Sequence, residues 1–182
     1  AAGQPVPPGP RELRMGAPDH RAAAEAIRAV PYTVLTLSDS RNEESDTSGR
    51  LIRQLFDEAG HTLTDYELVR NAPGQIQAAV RRFLQGPALC LVATGGTGAG
   101  RRDLTVETVS PLMDKLLPGF GELFRWLSYQ EIGSAAMLSR ALCGVSRGKL
   151  IYCLPGSEAA VRLGVSKLLL PELSHLIWVA SR

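Results

Sequence analysis

The chain has 182 residues, of which 45% are apolar and 21% are charged, as in an ordinary globular domain. Its 20 basic and 18 acidic residues give a net charge of +2, which provides no electrostatic footprint for a nucleic acid or a membrane surface. No uninterrupted apolar run reaches the length of a membrane span. Three cysteines without metal-ligand spacing indicate buried free thiols, so we expect a cytoplasmic protein.

The start of the chain divides into a tail and a domain. Residues 1–18 are rich in Pro, Gly and Ala without periodicity, and this composition predicts a disordered N-terminal extension. A single α/β domain is expected over residues 19–182. It begins with an Ala-rich helix over Asp19–Val30 and continues with a β-branched strand over Tyr32–Leu37.

The middle of the chain alternates between strand and helix patterns. Apolar residues at helical spacing after Asp46 predict a helix that ends at Gly60. The alternating segment His61–Arg70 predicts a strand, and Pro73–Leu84 predicts an amphipathic helix with proline in its first turn. A short apolar run from Ala88 is typical of a buried parallel strand.

The last third of the chain continues the alternation. Its patterns predict helices over Val106–Leu117, Gly121–Tyr129, Ala135–Leu142 and Ala159–Leu169, and strands over Lys149–Leu154 and His175–Ala180. Because strands alternate with helices throughout, we predict an α/β fold with three layers. In this fold, helices cover both faces of a doubly wound, mostly parallel sheet.

A glycine-rich loop, Thr94–Asp103, joins the third predicted strand to the next helix. Its glycines leave backbone N–H groups open to the close approach of an anion. The loop is neither a dinucleotide fingerprint, which needs a third glycine, nor a Walker loop, because Arg101 and Arg102 stand where Lys and Ser/Thr are required. A plain turn between strand and helix is the alternative interpretation.

Three polar segments follow three predicted strands: Ser38–Ser40, Gly95–Asp103 and Pro155–Ser157. The carboxyl ends of neighbouring parallel strands meet at one edge of a sheet, so we expect these segments to line one pocket. Their hydroxyl and N–H donors suit a phosphorylated polar ligand. Taken singly, each segment also has the composition of an ordinary turn.

The same loop carries a family resemblance. Thr94–Gly98 followed by Arg102–Thr105 closely resembles the MoaB/MogA family of molybdenum cofactor biosynthesis proteins, and so do Pro118–Arg125, Ser139–Ala141 and Leu154–Ser157. Because these motifs occur in order, the resemblance extends over nearly the whole globular part of the chain.

The resemblance implies a ligand and an activity. Proteins of this family bind molybdopterin, a pterin with a dithiolene and a terminal phosphate, and active members transfer AMP from Mg-ATP to that phosphate and release pyrophosphate. The small-molecule partners implied are thus the pterin and ATP with Mg²⁺, without nucleic acid or membrane. A homotrimer or a dimer of trimers is also implied, together with contacts to other cofactor-assembly proteins.

The resemblance also implies site residues. Asp103 and the position of Asn71 are the catalytic candidates, with Asp103 as a ligand for Mg²⁺, although Asp103 also suits a helix N-cap. The residues expected to bind molybdopterin and its phosphate are Ser38, Asp39, Ser40, Thr94, Gly95, Gly96, Thr97, Gly98, Pro155, Gly156 and Ser157.

Further candidates have equally good local explanations. Asp46 suits a helix start, Arg102 a solvated surface position, Glu122 a subunit contact, and Ser139 with Arg140 a helix end. We retain these five residues as candidates for the pocket because they match the family's motifs.

One position departs from the family pattern. Catalytic members carry an aspartate just after the second strand, where this chain has Asn71. An asparagine supplies an acceptor oxygen but no negative charge to a metal ion. We therefore keep two hypotheses, a molybdopterin adenylyltransferase and a non-catalytic molybdopterin carrier or assembly protein. A nucleotide-binding regulator without a pterin role is a third and more distant one.

Overall fold

In a computed structural model the structure describes residues 26–182. The extension predicted over residues 1–18 and most of the helix predicted over Asp19–Val30 lie outside the described residues. The described end of that predicted helix, residues 26–30, is turn and irregular chain rather than helix.

The first half of the described chain follows the predicted order. Its elements are β1 (Pro31–Leu37), α1 (Thr47–Glu58), β2 (Thr62–Val69), α2 (Pro73–Gln85), β3 (Cys90–Thr94) and α3 (Thr105–Val109). Asp46 is the N-cap of α1, and its side chain accepts a hydrogen bond from the Gly49 amide. Proline occupies the first turn of α2, as expected.

The second half departs further from the sequence patterns than the first half. A 3₁₀ turn (Ser110–Leu112) follows α3, and then come β4 (Lys115–Leu116), α4 (Pro118–Ile132), a 3₁₀ segment (Gly133–Leu138), β5 (Leu142–Ser146) and β6 (Lys149–Leu154). The chain ends in α5 (Glu158–Leu163), a π-helical segment (Gly164–Leu169) and α6 (Leu170–Ala180).

Three predicted elements need correction. The helix predicted over Val106–Leu117 stops near Pro111, which cannot continue an α-helix because it lacks an N–H group. The predicted helix Ala135–Leu142 is a 3₁₀ segment that leads into β5. The strand predicted over His175–Ala180 is wrong, since these residues belong to α6.

The sheet has six strands in the order β2-β1-β3-β6-β5-β4. The pairs β1–β2, β1–β3 and β3–β6 are parallel, whereas β5 and β4 form an antiparallel edge. The three-layer, mostly parallel α/β prediction is therefore confirmed, with this edge as an addition. In the register, Thr36 pairs with Thr94 and Thr94 with Leu154, so β1, β3 and β6 end at the same edge.

The central strands bury side chains on both faces, which is the pattern of a covered parallel sheet. Val34, Val92 and Tyr152 pack on one face with residues of α1 and the C-terminal helices. Leu35 and Leu91 pack on the other face with residues of α2. Each such side chain contributes roughly 1.5–3 kcal/mol on burial, so the sheet is a stable platform for its loops.

The C-terminal helices form one continuous segment, Glu158–Ala180, of 23 residues, and an 18-residue window within it has a mean hydropathy of 1.2. By length and composition it could cross a membrane, although charged residues interrupt it and it is not the uninterrupted apolar run considered above. This is weak evidence, because one face packs on the core through Val161, Val165, Leu169, Leu173 and Ile177. The widened π turn helps to keep this four-residue repeat on one face.

Candidate functional site

The loops that follow β1, β3 and β6 meet at one edge of the sheet. The Gly95 amide donates to the Leu154 carbonyl at 2.9 Å, and the Thr94 hydroxyl donates to the Pro155 carbonyl at 3.0 Å. A Cβ atom at Gly156 would lie 3.3 Å from the Cα atom of Gly95. The backbones of the second and third predicted segments are thus in direct contact.

Two cavities open at this edge and share Gly95 and Gly156. The larger cavity, of about 340 Å³, lies between the glycine loop, Pro155–Ser157 and an apolar wall from α4 and the 3₁₀ segment. The smaller cavity, of about 240 Å³, is lined by polar residues after β1, including Ser38, Ser40 and Arg41. The structure therefore brings all three predicted polar segments together.

The backbone conformation of the glycine loop leaves no room for a side chain at two of its glycines. Gly95 and Gly96 have φ angles of 100° and 64°, in the left-handed region that favours glycine. A Cβ atom at Gly96 would collide with the Thr105 hydroxyl and would lie 2.5 Å from Oδ1 of Asn71. Both glycines are required by this conformation.

The carbonyl groups of the loop are satisfied from within the protein. The Thr105 hydroxyl donates to the Gly95 carbonyl at 2.7 Å, and the Thr105 amide donates to the Gly96 carbonyl at 3.0 Å. The Asp103 amide donates to the Gly100 carbonyl at 3.0 Å. Arg140 holds the carbonyls of Thr97 and Gly98, at 3.3 Å and 3.0 Å from its Nε atom.

The amides of the same loop are free in part. Within residues 26–182, the N–H groups of Gly96, Thr97 and Gly98 donate to no protein acceptor. All three residues line the larger cavity. Three successive free N–H groups, two left-handed glycines and no side-chain obstruction form the kind of concavity that binds phosphate and other anions.

Asp103 closes this loop. Its Oδ2 atom accepts from the Gly100 amide at 2.8 Å, and the residue lines the larger cavity. The N-cap position of α3 is Leu104, without a side-chain hydrogen bond, so the helix-cap alternative for Asp103 is wrong. One carboxylate oxygen supports the loop, and no protein donor in the described chain bonds the other.

Asn71 reaches the loop from the end of β2. Its backbone N–H donates to Oδ1 of Asp39 at 3.0 Å. Its side-chain Oδ1 is buried and has no hydrogen-bond partner among the described residues. Asn71 itself lines neither cavity, but this oxygen lies beside Gly96, which lines the larger one. A buried acceptor without a donor costs about 1–3 kcal/mol.

Asp46 is a structural centre behind the smaller cavity. Its side chain is fully buried and accepts from the hydroxyls of Thr36 and Tyr66, at 2.6 Å and 2.7 Å, and from the Gly49 amide at 2.9 Å. Burial, and then the bond to Asp46, raise the pKa of the Tyr66 phenol. Asp46 holds α1 against β1 and β2 but lines neither cavity at this edge.

The remaining candidates are distributed unevenly. Ser157 caps α5 by accepting from the Ala160 amide at 3.2 Å, and it also lines the larger cavity. Ser139 lines that cavity as well. Arg102 and Glu122 are exposed and line neither cavity, and the side chain of neither is hydrogen-bonded to the described residues.

Several residues of the site have no signal in the sequence analysis. The apolar wall of the larger cavity comes from Phe124, Ile132, Ala135 and Leu138, which contact it only through tertiary packing. Arg41 lies 3.4 Å from the Gly156 carbonyl through its Nη1 atom and 3.9 Å from Oδ1 of Asp46. The sequence offers a clue for two of these residues, because Arg41 directly follows the Ser-Asp-Ser segment and Phe124 lies within the motif Pro118–Arg125.

Comparisons with known proteins agree with this geometry. A family model described as "Probable molybdopterin binding domain" matches residues 33–175. The molybdenum cofactor biosynthesis protein B of Bacillus cereus is 47% identical over 160 residues, which are 87% of this chain and 95% of that protein. The protein of the same name from Bacillus subtilis is 42% identical over 165 residues, covering 90% and 96% of the two chains.

Solved structures show the same fold. A crystal structure of a molybdenum cofactor biosynthesis protein B has a TM-score of 0.82 at 47% identity, covering 84% of this chain and 96% of that one. The tungsten cofactor synthesizing protein MoaB from Pyrococcus furiosus has a TM-score of 0.78 at 34% identity, covering 85% and 99%. This chain belongs to the MoaB-type family of molybdenum cofactor biosynthesis proteins and contains its molybdopterin-binding domain.

Proposed function

We propose that the chain binds molybdopterin in the larger cavity, with the terminal phosphate on the free N–H groups of Gly96, Thr97 and Gly98. These three unpaired donors are the observation that carries the proposal. The apolar wall from α4 suits a flat heterocycle, because small-molecule sites combine apolar walls with a few placed polar groups.

We propose further that the bound pterin phosphate is adenylylated with Mg-ATP. The residues present fit Mg²⁺ that arrives with the nucleotide, since that ion needs only one or two protein oxygens beside phosphates and water. Asp103 has one carboxylate oxygen without a protein donor, and Asn71 has an unpartnered carbonyl oxygen. No group of three or more His, Cys, Asp or Glu residues within the described chain suits a resident metal.

In this proposal the protein acts mainly by position and charge. The loop amides hold the nucleophilic phosphate, and the Asp103 carboxylate keeps the loop closed through the Gly100 amide. Mg²⁺, when bound, supplies positive charge that offsets the charge building up on the transferred phosphoryl group.

A non-catalytic carrier is the second candidate function, and Asn71 favours it. A neutral amide in place of a carboxylate weakens the attraction for a hard cation but leaves the anion-binding loop unchanged. Incubation with molybdopterin, Mg²⁺ and ATP separates the two functions. An adenylyltransferase yields adenylylated pterin and pyrophosphate, whereas a carrier binds the pterin and yields neither product.

The first prediction concerns Asp103. We expect Asp103→Asn to lower the rate of adenylyl transfer by about tenfold or more, because the Mg²⁺ ligand loses its charge while the amide oxygen still accepts from Gly100. Pterin affinity should change much less. Rates of pyrophosphate release and pterin titrations measure the two effects.

Asp65→Asn is the matched control, because it removes one negative charge from β2 outside both cavities of the site. If Asp103→Asn retains the wild-type rate, Asp103 supports the loop and takes no part in the transfer.

A further inference from the structure

We infer that Arg140 is a positioning residue that fixes the part of the glycine loop from the Gly98 amide to Asp103, with Glu107 holding its guanidinium in place. This inference rests on the proposed function, because it assigns the cause of the loop's geometry. It goes beyond that function because it names two residues that do not contact the phosphate but on which phosphate affinity depends.

The guanidinium of Arg140 spans the loop. Its Nε atom lies 3.3 Å from the Thr97 carbonyl and 3.0 Å from the Gly98 carbonyl. Its Nη2 atom donates to the same Gly98 carbonyl at 2.6 Å and to the Asp103 carbonyl at 3.2 Å. One side chain therefore binds both ends of the segment that bears the free amides and the Asp103 carboxylate.

One of these bonds orients a free amide directly, and the others hold the chain on either side of residues 99–102. A peptide unit carries its carbonyl and its N–H on opposite sides, so a carbonyl held by Arg140 turns the following N–H away from the guanidinium. Arg140 holds the Thr97 carbonyl, whose peptide unit carries the Gly98 N–H. Thr105 holds the carbonyls of Gly95 and Gly96, whose peptide units carry the N–H groups of Gly96 and Thr97. The N–H groups of Gly96, Thr97 and Gly98 remain free of protein acceptors.

Glu107 fixes the other side of the guanidinium. Both Nη atoms of Arg140 donate to its carboxylate, the Nη2 bond to Oε2 measuring 3.2 Å, in the fork geometry that only arginine provides. Glu107 belongs to α3, whereas Arg140 follows Ser139 just after the 3₁₀ segment that forms part of the apolar wall. The pair thus connects the loop, α3 and this wall.

The connection also sets the width of the larger cavity. The loop forms one side and the 3₁₀ segment the other, and Ser139 beside Arg140 lines the same cavity. Loss of the Arg140 bonds would release the loop and this wall from one another. A displacement of about 1 Å in a positioned group is enough to lower binding or reactivity strongly.

The test compares Arg140→Gln, Arg140→Lys and Glu107→Gln with the wild type. The probe is inorganic phosphate, added to ¹⁵N-labelled protein while the amide signals of Gly96, Thr97 and Gly98 are followed. Hydrogen exchange of the Gly100, Asp103 and Thr105 amides, which are hydrogen-bonded within the loop, is measured without phosphate and reports the order of the loop independently of any ligand. Arg81→Gln is the matched control, because Arg81 is exposed on α2 and lines neither cavity.

We expect Arg140→Gln to weaken phosphate binding about tenfold or more and to speed exchange at the loop, with unchanged exchange in β3 and β6. Arg140→Lys should not restore affinity, because an ammonium keeps the charge but cannot span three carbonyls and a carboxylate. Glu107→Gln should give a smaller change in the same direction. The control should behave as the wild type.

Two results would overturn the inference. Wild-type exchange at the loop in Arg140→Gln would show that the loop holds its shape without the guanidinium. Full recovery of phosphate affinity in Arg140→Lys would show that positive charge alone is used. By contrast, a wild-type protein whose loop amides do not respond to phosphate contradicts the proposed function, and the exchange data still decide the role of Arg140.

Discussion

The buried side chain of Asp46 accepts several hydrogen bonds that contribute to the stability of the fold. It serves as N-cap of α1 and as acceptor for two hydroxyls from neighbouring strands. We predict that Asp46→Ala lowers the free energy of unfolding by about 3 kcal/mol, because it removes the cap and leaves the hydroxyls of Thr36 and Tyr66 without their acceptor. Urea denaturation measures this change.

Asp39→Ala is the control for Asp46→Ala, since Asp39 is exposed and makes a single bond to the Asn71 amide. It should cost less than about 1 kcal/mol. Equal losses in the two variants would mean that the bonds around Asp46 add nothing beyond a surface contact.

A substitution at Asn71 is expected to change the rate of adenylyl transfer while leaving pterin affinity almost unchanged. If its side chain faces the metal of bound ATP, Asn71→Asp should raise the rate of adenylyl transfer, because a carboxylate is a stronger ligand for Mg²⁺ than an amide oxygen. The gain should appear only with Mg²⁺ present, since a carboxylate repels the phosphates when no metal lies between them. Pterin affinity without ATP should change little.

The alternative for Asn71 is a turn residue chosen for its local backbone. In that case Asp would be almost neutral, and rates with and without Mg²⁺ would be the same for both proteins. The buried, unpartnered Oδ1 atom favours the ligand interpretation, because a turn residue would satisfy this oxygen locally.

The protonation state of Glu107 is expected to affect how firmly the glycine loop is held. The hydrogen bond from Arg140 lowers the pKa of the Glu107 carboxyl below its ordinary value of 4.5. A carboxyl whose pKa is lower in the folded protein stabilises the fold above its unfolded pKa, and this contribution is lost as the pH falls through the folded pKa. We predict faster loop exchange in acid, relative to β3, in the wild type but not in Glu107→Gln; equal acid responses would contradict this.

At the level of elements, the sequence predicts the local structure correctly where one physical signal dominates. The buried run of β3, the glycines after it and the proline at the start of α2 each determine a local conformation on their own. The convergence of the loops also followed from the parallel order, because strand ends in such a sheet meet at one edge.

The wrong strand prediction and the missed cavity wall share one cause, which is that both depend on contacts between elements distant in the sequence. The residues of α6 include Ile177, Trp178 and Val179, a β-branched and aromatic run typical of a strand, yet Leu169, Leu173 and Ile177 continue a helical stripe from before Pro171. The apolar cavity wall was unpredictable for a similar reason. Its residues acquire their role only when α4 packs beside the loop.

The long C-terminal helical segment provides a test of packing. Gly164 lies where a Cβ atom would be 2.6 Å from Cδ2 of Leu154 and 3.3 Å from the Phe124 ring. We predict that Gly164→Ala lowers the free energy of unfolding by about 1–3 kcal/mol, because the extra methyl group overpacks the core. Thermal or urea unfolding gives the value.

Gly119→Ala is the matched control, since nothing lies within 4 Å of its Cβ position in the first turn of α4. Alanine favours helix, so this variant should be neutral or slightly stabilising. A stabilised Gly164→Ala protein would mean that helix propensity outweighs the contact with Leu154.

At the scale of the whole molecule, α4 carries an apolar surface that a monomer would leave in water. Leu123, Trp126, Tyr129 and Ile132 have 53–61% of their surface exposed, and Met137 after them has 73%. Contiguous exposed patches of this kind mark interaction sites. We therefore propose that copies of the chain associate through this surface as a homotrimer or a dimer of trimers, as the family resemblance implies.

The last prediction tests this association and its effect on the site. We expect wild-type protein to sediment as an oligomer at micromolar concentration and the double variant Leu123→Glu, Trp126→Glu to sediment as a monomer, because charges cannot be buried there without partners. Val179→Glu, at a position 50% exposed on α6, should stay oligomeric. Ile132 and Leu138 are exposed and also line the larger cavity, so dissociation should weaken pterin binding as well. A monomeric wild type would contradict the proposed association, and a monomeric variant with full pterin affinity would place the whole site within one chain.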